Sequence, residues 1–128
     1  MIRKLGSVLL SALLLAACAA DHEQETVYIN ITAEEAKQIM DTQVDFIILD
    51  VRTQEEYDEG HIPGAILIPD TQIEEKAEEV LTDKNQLILV YCRSGRRSKQ
   101  ASEKLVKLGY TNIKEFGGII DWPYEVVS

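Results

Sequence analysis

One cysteine, set between an apolar run and a basic loop, carries most of the chemistry available to this chain. The stretch is Leu87-Ile88-Leu89-Val90-Tyr91-Cys92-Arg93-Ser94-Gly95-Arg96-Arg97-Ser98. The run before Cys92 is of strand type, and a helical pattern begins after the loop. A loop that feeds a helix N-terminus gathers backbone N–H groups, and the helix dipole adds partial positive charge. Both favour the thiolate, the nucleophilic form of cysteine. Arg93, Arg96 and Arg97 add full charges within a few residues, so a small anion is the natural partner. The bland alternative is a buried strand-end cysteine beside a solvated basic face. Inert buried cysteines, however, normally sit in apolar surroundings rather than beside three cations.

Asp50 and Arg52 are the next candidates. They follow the apolar run Phe46-Ile47-Ile48-Leu49 and suit either substrate contact or bracing of the active loop, the second being the simpler role. His61, in the turn His61-Ile62-Pro63-Gly64, is an acid–base candidate by residue type, and a structural role beside the turn is the simpler reading. Trp122 reads as core or pocket wall. Two histidines and one spare cysteine lack metal-ligand spacing, so no metal is expected.

These residues need elements to hold them. Val27 to Ile31 alternates as a strand does. Thr32-Ala33-Glu34-Glu35 and Thr53-Gln54-Glu55-Glu56 are capping boxes, opening one helix to about Asp41 and a short one that stops near Gly60. Phe46 to Leu49 and Leu87 to Tyr91 are continuous apolar runs, typical of strands covered on both faces. Ile66 to Ile68 makes a third strand closed by Pro69, and Ile113 to Phe116 a fifth, broken by Gly117-Gly118. Helical periodicity spans Ile73 to Leu81 and Ser98 to Leu108, and a terminal helix interrupted at Pro123 is expected over Ile119 to Val127. Strands alternating with helices, without hairpin signals, predict an α/β fold with a parallel sheet and helices on both faces. Ligands of such sheets lie at the carboxyl ends of the strands, where Asp50, Arg52 and Cys92 all fall.

The chain has 128 residues, 45% of them hydrophobic, which suits one domain with a real core. Its net charge of −9, from 13 basic and 22 acidic residues, argues against nucleic acid as a partner. The basic cluster at 93–97 is therefore local rather than part of a general bias. Residues 1–17 read as a secretory signal: Arg3 and Lys4, an apolar stretch too short to be a comfortable membrane span, then small residues before Cys18. An ordinary cleaved signal that happens to hold Cys18 is one reading of this stretch. Residues 18–26 read as a polar tether that contains a solvated His22, and 27–128 as the folded domain. If the sulfur of Cys18 is taken up elsewhere, Cys92 is the one free thiol and no disulfide is expected to staple the domain.

Three signatures in order resemble the rhodanese family. Asp50-Val51-Arg52 with Glu56-Tyr57 and Gly60-His61-Ile62-Pro63-Gly64-Ala65 is similar to the first, and Tyr91 to Ser98 to the active-site loop. Gly117-Gly118-Ile119-Ile120-Asp121-Trp122 is similar to the closing one. The match runs from about Ile31 to Trp122; the tail after Trp122 is shorter than in many relatives. Leu15-Ala16-Ala17-Cys18 resembles the lipobox of bacterial lipoproteins, which implies cleavage before Cys18, acylation of its sulfur and an extracytoplasmic, membrane-anchored protein.

The resemblance implies a sulfurtransferase fold with a five-stranded parallel sheet. Cys92 would carry a transient persulfide, with no other cofactor, taken from thiosulfate or a similar donor and passed to a thiol or cyanide. The loop Arg93, Ser94, Gly95, Arg96, Arg97 and Ser98 would cradle the outer sulfur and the leaving anion. Gly95 would let its N–H point inward, Ser98 would cap the helix, and Arg97 would close the loop and aim inward. Arg93 and Arg96 would shape the entrance. The chain is expected to act as a monomer.

Two other classes compete. Cysteine-dependent phosphatases and arsenate reductases also set a Cys-led loop at a helix start, but their loop is one residue longer. Here four residues separate Cys92 from Arg97, a tighter cradle that suits a sulfur atom better than a phosphoryl group. The third class is a persulfide carrier or binding module for a partner protein.

Overall fold

A computed structural model describes residues 27–128; the expected signal peptide, Cys18 and tether lie outside the described residues. The strands are β1 (Ile29–Asn30), β2 (Phe46–Asp50), β3 (Ile66–Leu67), β4 (Leu87–Cys92) and β5 (Ile113–Gly118). The helices are α1 (Ala33–Thr42), α2 (Gln54–Glu59), α3 (Ile73–Val80) and α4 (Arg96–Lys107). The five strands form one sheet in the order β1-β5-β4-β2-β3, and every pairing is parallel. This is the expected α/β architecture. The two predicted capping boxes are both formed, Thr32 with Glu35 and Thr53 with Glu56, and they set the starts of α1 and α2.

Alternation along the strands builds a core on each face of the sheet. Leu49, Ile88, Val90 and Ile113 pack against Ile73, Ala77, Ala101 and Leu105 of α3 and α4. Ile48, Leu89, Tyr91 and Phe116 point the other way, toward Ala36 and Ile39 of α1, Tyr57 of α2, and Trp122. Trp122 is therefore core, and its ring lies 5.5 Å from that of Phe116.

Three expectations are corrected. Helix α4 starts at Arg96, with Gly95 as its N-cap residue at φ 108°, so Ser98 lies inside the first turn and does not cap it. Its hydroxyl bonds elsewhere, as described below. Gly117 and Gly118 do not break β5. They belong to it, and the register shifts there because Val90 faces Glu115 while Cys92 faces Gly118. One extra residue on β5 makes a bulge, which the left-handed Gly117 (φ 90°) accommodates. Finally, the chain end is not a helix. A 3₁₀ turn over Ile119–Asp121 leads to an extended tail, and Val127 bridges His61 in antiparallel fashion. Pro123, lacking an N–H, cannot continue the turn.

Candidate active site

Cys92 is the last residue of β4 and is fully buried. Its position follows from the β4–β5 bulge. A Cβ on Gly118 would collide with the Arg93 carbonyl, so only glycine lets β5 lie against the loop. The Ile120 N–H then donates to Arg93 O at 3.2 Å and pins the loop's first residue. Gly95 turns left-handed and directs its N–H to Cys92 Sγ at 3.0 Å. The sulfur thus sits at the N-terminus of a 12-residue helix and accepts a backbone N–H, as an anionic sulfur requires.

Ser98 reaches the sulfur from inside α4, with Sγ and Oγ 3.4 Å apart. The same hydroxyl lies 3.1 Å from Gly95 O and 2.5 Å from Glu115 Oε2. Glu115 is a residue that the sequence reading missed. It lies on β5, is 2% exposed, and also accepts the Gly117 N–H at 2.9 Å. A signal for it existed: Ile113 and Glu115 share one face of a strand, so a charged residue occupies a core position.

Arg93, Ser94 and Arg96 are exposed around the loop and suit an entrance, and Gly95 and Ser98 are buried within it. Arg97 is held sideways. Its Nη1 and Nη2 donate to Glu56 Oε1 and Oε2 at 2.8 and 3.0 Å, a two-pronged ion pair. The Arg97 hydrogen bonds hold the Glu56 carboxyl at a pKa of about 2, well below its ordinary value. The pair also raises the Arg97 guanidinium, with Cys92 among the smaller negative influences on it.

Asp50 and Arg52 brace, but not the loop itself. Asp50 Oδ1 accepts from Arg52 N and Nε at 2.9 and 3.0 Å, and Oδ2 from Arg52 Nη2 at 2.7 Å and from the Tyr91 hydroxyl at 2.6 Å. Arg52 Nη2 also donates to Gly60 O at 2.7 Å, while the Ile62 N–H donates to the Tyr91 hydroxyl at 3.1 Å. Burial works against the Arg52 charge, but the bonds and charge of Asp50 outweigh it and raise the guanidinium. Burial, reinforced by Asp50, likewise raises the Tyr91 phenol. This network fastens the 60–62 turn to the residue preceding Cys92. His61 stacks on Tyr57, ring centroids 3.8 Å apart, and its Nδ1 lies 2.9 Å from Tyr57 O, which is a structural position.

A groove of about 560 Å³ opens elsewhere, bordered by Phe46, Ile62, Trp122 and Tyr124 among others; no residue of the Cys92 loop lines it. The site to compare with known proteins is therefore the loop. Residues 32–123, which include it whole, match the family described as the rhodanese-like domain. The chain belongs to the rhodanese family. The thiosulfate sulfurtransferase PspE of Escherichia coli is 42% identical over 73 residues, covering 57% of this chain and 70% of that protein. A sulfurtransferase of Allochromatium vinosum is 36% identical over 88 residues, covering 68% of this chain and 79% of that one. Among solved structures, a rhodanese with anions from E. coli is similar with a TM-score of 0.61 and 38% identity, over 65% of this chain and 98% of that one. Rhodanese membership accounts for the order of the three signatures, and the geometry gives each a physical task. The first ties a turn to Tyr91, the second surrounds the sulfur, and the closing glycines admit the loop.

Proposed function

We propose that this rhodanese is a sulfurtransferase in which Cys92 takes a sulfane sulfur from thiosulfate or a similar small donor and delivers it to a thiol or cyanide. The observation that carries this reading is the Gly95 N–H directed at Cys92 Sγ from the N-cap of α4. The names of the two curated relatives support it. Cys92 thiolate attacks the outer sulfur of thiosulfate. A new S–S bond forms, the old one breaks, and its electron pair leaves with sulfite. The persulfide remains on Cys92 as an anion, which the loop N–H groups and the Arg93 and Arg96 charges favour. An acceptor thiolate or cyanide then attacks that outer sulfur, and the Cys92 thiolate leaves. Full burial of Cys92 favours a donor whose sulfur projects into a narrow loop, as a slim sulfane anion can.

Intact mass of the domain after incubation with thiosulfate tests this. The unsubstituted chain is expected to gain one sulfur atom and Cys92→Ser none; an unchanged mass across several sulfane donors would overturn the reading. Turnover of an aryl phosphate without sulfur gain would favour the phosphatase class, and loading without turnover a carrier. Membrane attachment through acylated Cys18, outside the cytoplasm, belongs to the same proposal. Labelling cells with a radioactive fatty acid should mark the protein, and Cys18→Ser should abolish the label. A monomer is expected on gel filtration of the domain.

A further inference from the structure

Glu115 has no task in the chemistry above, yet it is a carboxyl buried beside the reactive sulfur. Burying a charge is costly unless it is paired. Among the described residues no lysine, arginine or histidine forms a salt bridge with Glu115. Its polar partners are the Gly117 N–H and the Ser98 hydroxyl, and that hydroxyl is also the neighbour of Cys92 Sγ. Ser98 has one proton to give. Directed to Glu115 Oε2, it leaves its oxygen free to accept the Cys92 S–H. Directed to the sulfur, it needs a proton on Glu115 instead.

We infer that Glu115 and Cys92 share a single proton through the Ser98 hydroxyl, so that the sulfur takes its negative charge as the carboxylate gives up its own. The inference rests on Cys92 being the reacting nucleophile. In the step, the Cys92 S–H bond breaks and the proton joins Ser98 Oγ, while the hydroxyl's original proton passes to Glu115 Oε2. The thiolate then accepts from the Gly95 N–H and the Ser98 O–H, and Glu115 becomes a neutral acid bonded to Ser98. No proton enters or leaves, and the buried cluster keeps one negative charge rather than two, because like charges so close resist ionising together. Glu115 is thus a positioning residue that acts on the sulfur through Ser98.

The other groups facing the pair leave this coupling in place. Just before β1, Tyr28 lies close enough for Glu103 and Glu115 to add to burial in raising its phenol. From α4, Arg97 feels Cys92 and Asp70 but is clamped by Glu56. The Lys99 ammonium lies near Gly95 and is exposed. None of these is hydrogen-bonded to Glu115 or to the sulfur.

The test follows thiolate ultraviolet absorbance against pH in the unloaded protein and in E115Q, which keeps the side chain's shape and its acceptor oxygen. With no carboxylate charge beside the sulfur to oppose its ionisation, E115Q should form thiolate at a lower pH than the unsubstituted protein, with a roughly tenfold larger thiolate-to-thiol ratio at a given pH. In parallel, infrared spectra of the unsubstituted protein are taken where half its thiolate has formed. A protonated-carboxyl band is expected there and should vanish once neutral iodoacetamide alkylates Cys92. Curves that superimpose or move upward in E115Q, or thiolate without the acid band, would overturn the inference. The infrared arm decides even if E115Q fails to fold. Neither arm uses a sulfur donor. A chain that gains no sulfur but titrates as expected would refute the sulfurtransferase reading alone, and one that loads sulfur with superimposed curves would refute proton sharing alone.

Discussion

The Arg97 guanidinium is gripped by Glu56, and that pair has a measurable pH signature. Glu56 titrates near pH 2 in the fold against an ordinary value of 4.5. A lowered carboxyl adds stability that is complete above the ordinary value and is lost as pH falls toward the folded one. Glu56→Gln should therefore cost about 1–2 kcal/mol near neutrality, after allowance for the pair's partial exposure. That difference should close as the pH falls from 4.5 toward 2. Urea unfolding of both proteins at several pH values checks it. Glu56 also closes the capping box of α2, so Gln, which can still accept from Thr53 N, isolates the ionic part. An unchanged difference at low pH would mean that the cost of Glu56→Gln comes from the cap rather than from the charge pair with Arg97.

At the scale of elements, β5 and the start of α4 hold the loop in place. A methyl at Gly118 meets the Arg93 carbonyl, so Gly118→Ala should push the loop off the sheet, cost about 1–3 kcal/mol and abolish sulfur loading. Gly95→Ala meets a different obstacle, because its φ of 108° is strained for any residue with a Cβ. A loss of about 1–2 kcal/mol is expected, with sulfur loading slowed as the N–H leaves the sulfur. Thermal melting gives the first quantity in each case and intact mass after brief donor exposure the second. Equal loading by Gly118→Ala and the unsubstituted chain would refute the account of the bulge.

The molecule as a whole is joined through Tyr91, whose hydroxyl links strand β2, strand β4 and the turn at Ile62. Tyr91→Phe leaves the Ile62 N–H without its acceptor and removes one donor from buried Asp50. The expected cost is about 1–3 kcal/mol, since unsatisfied buried polar groups keep their desolvation penalty. Chemical denaturation would measure it, and hydrogen exchange should show faster exchange at Ile62 than at core residues of β4. The opposite faces of the sheet meet at this strand, with Val90 and Cys92 toward α3 and α4 and Tyr91 toward α1 and α2. A defect at Tyr91 therefore reaches the site through the backbone rather than through any ligand contact.

The strands, the capped helices, the parallel sheet and the Cys92 loop were legible in the sequence, because hydrophobic period, capping boxes and a short reactive motif act over a few neighbouring residues. The start of α4 was set two residues too late: Ser98 looked like a cap, and only the left-handed Gly95 showed where the helix begins. The terminal helix was misread because the pairing of Val127 with His61 is decided by a segment more than sixty residues away. Asp50 and Arg52 were read as braces of the active loop; what they hold instead depends on Gly60 and Tyr91 arriving beside them. Sequence alone determined which cysteine ends a strand at a basic loop and which charges surround that loop. Tertiary structure alone decided that Arg97 turns to Glu56 and that Glu115 lies behind Ser98, because a partner from another strand or helix leaves no local pattern in the chain.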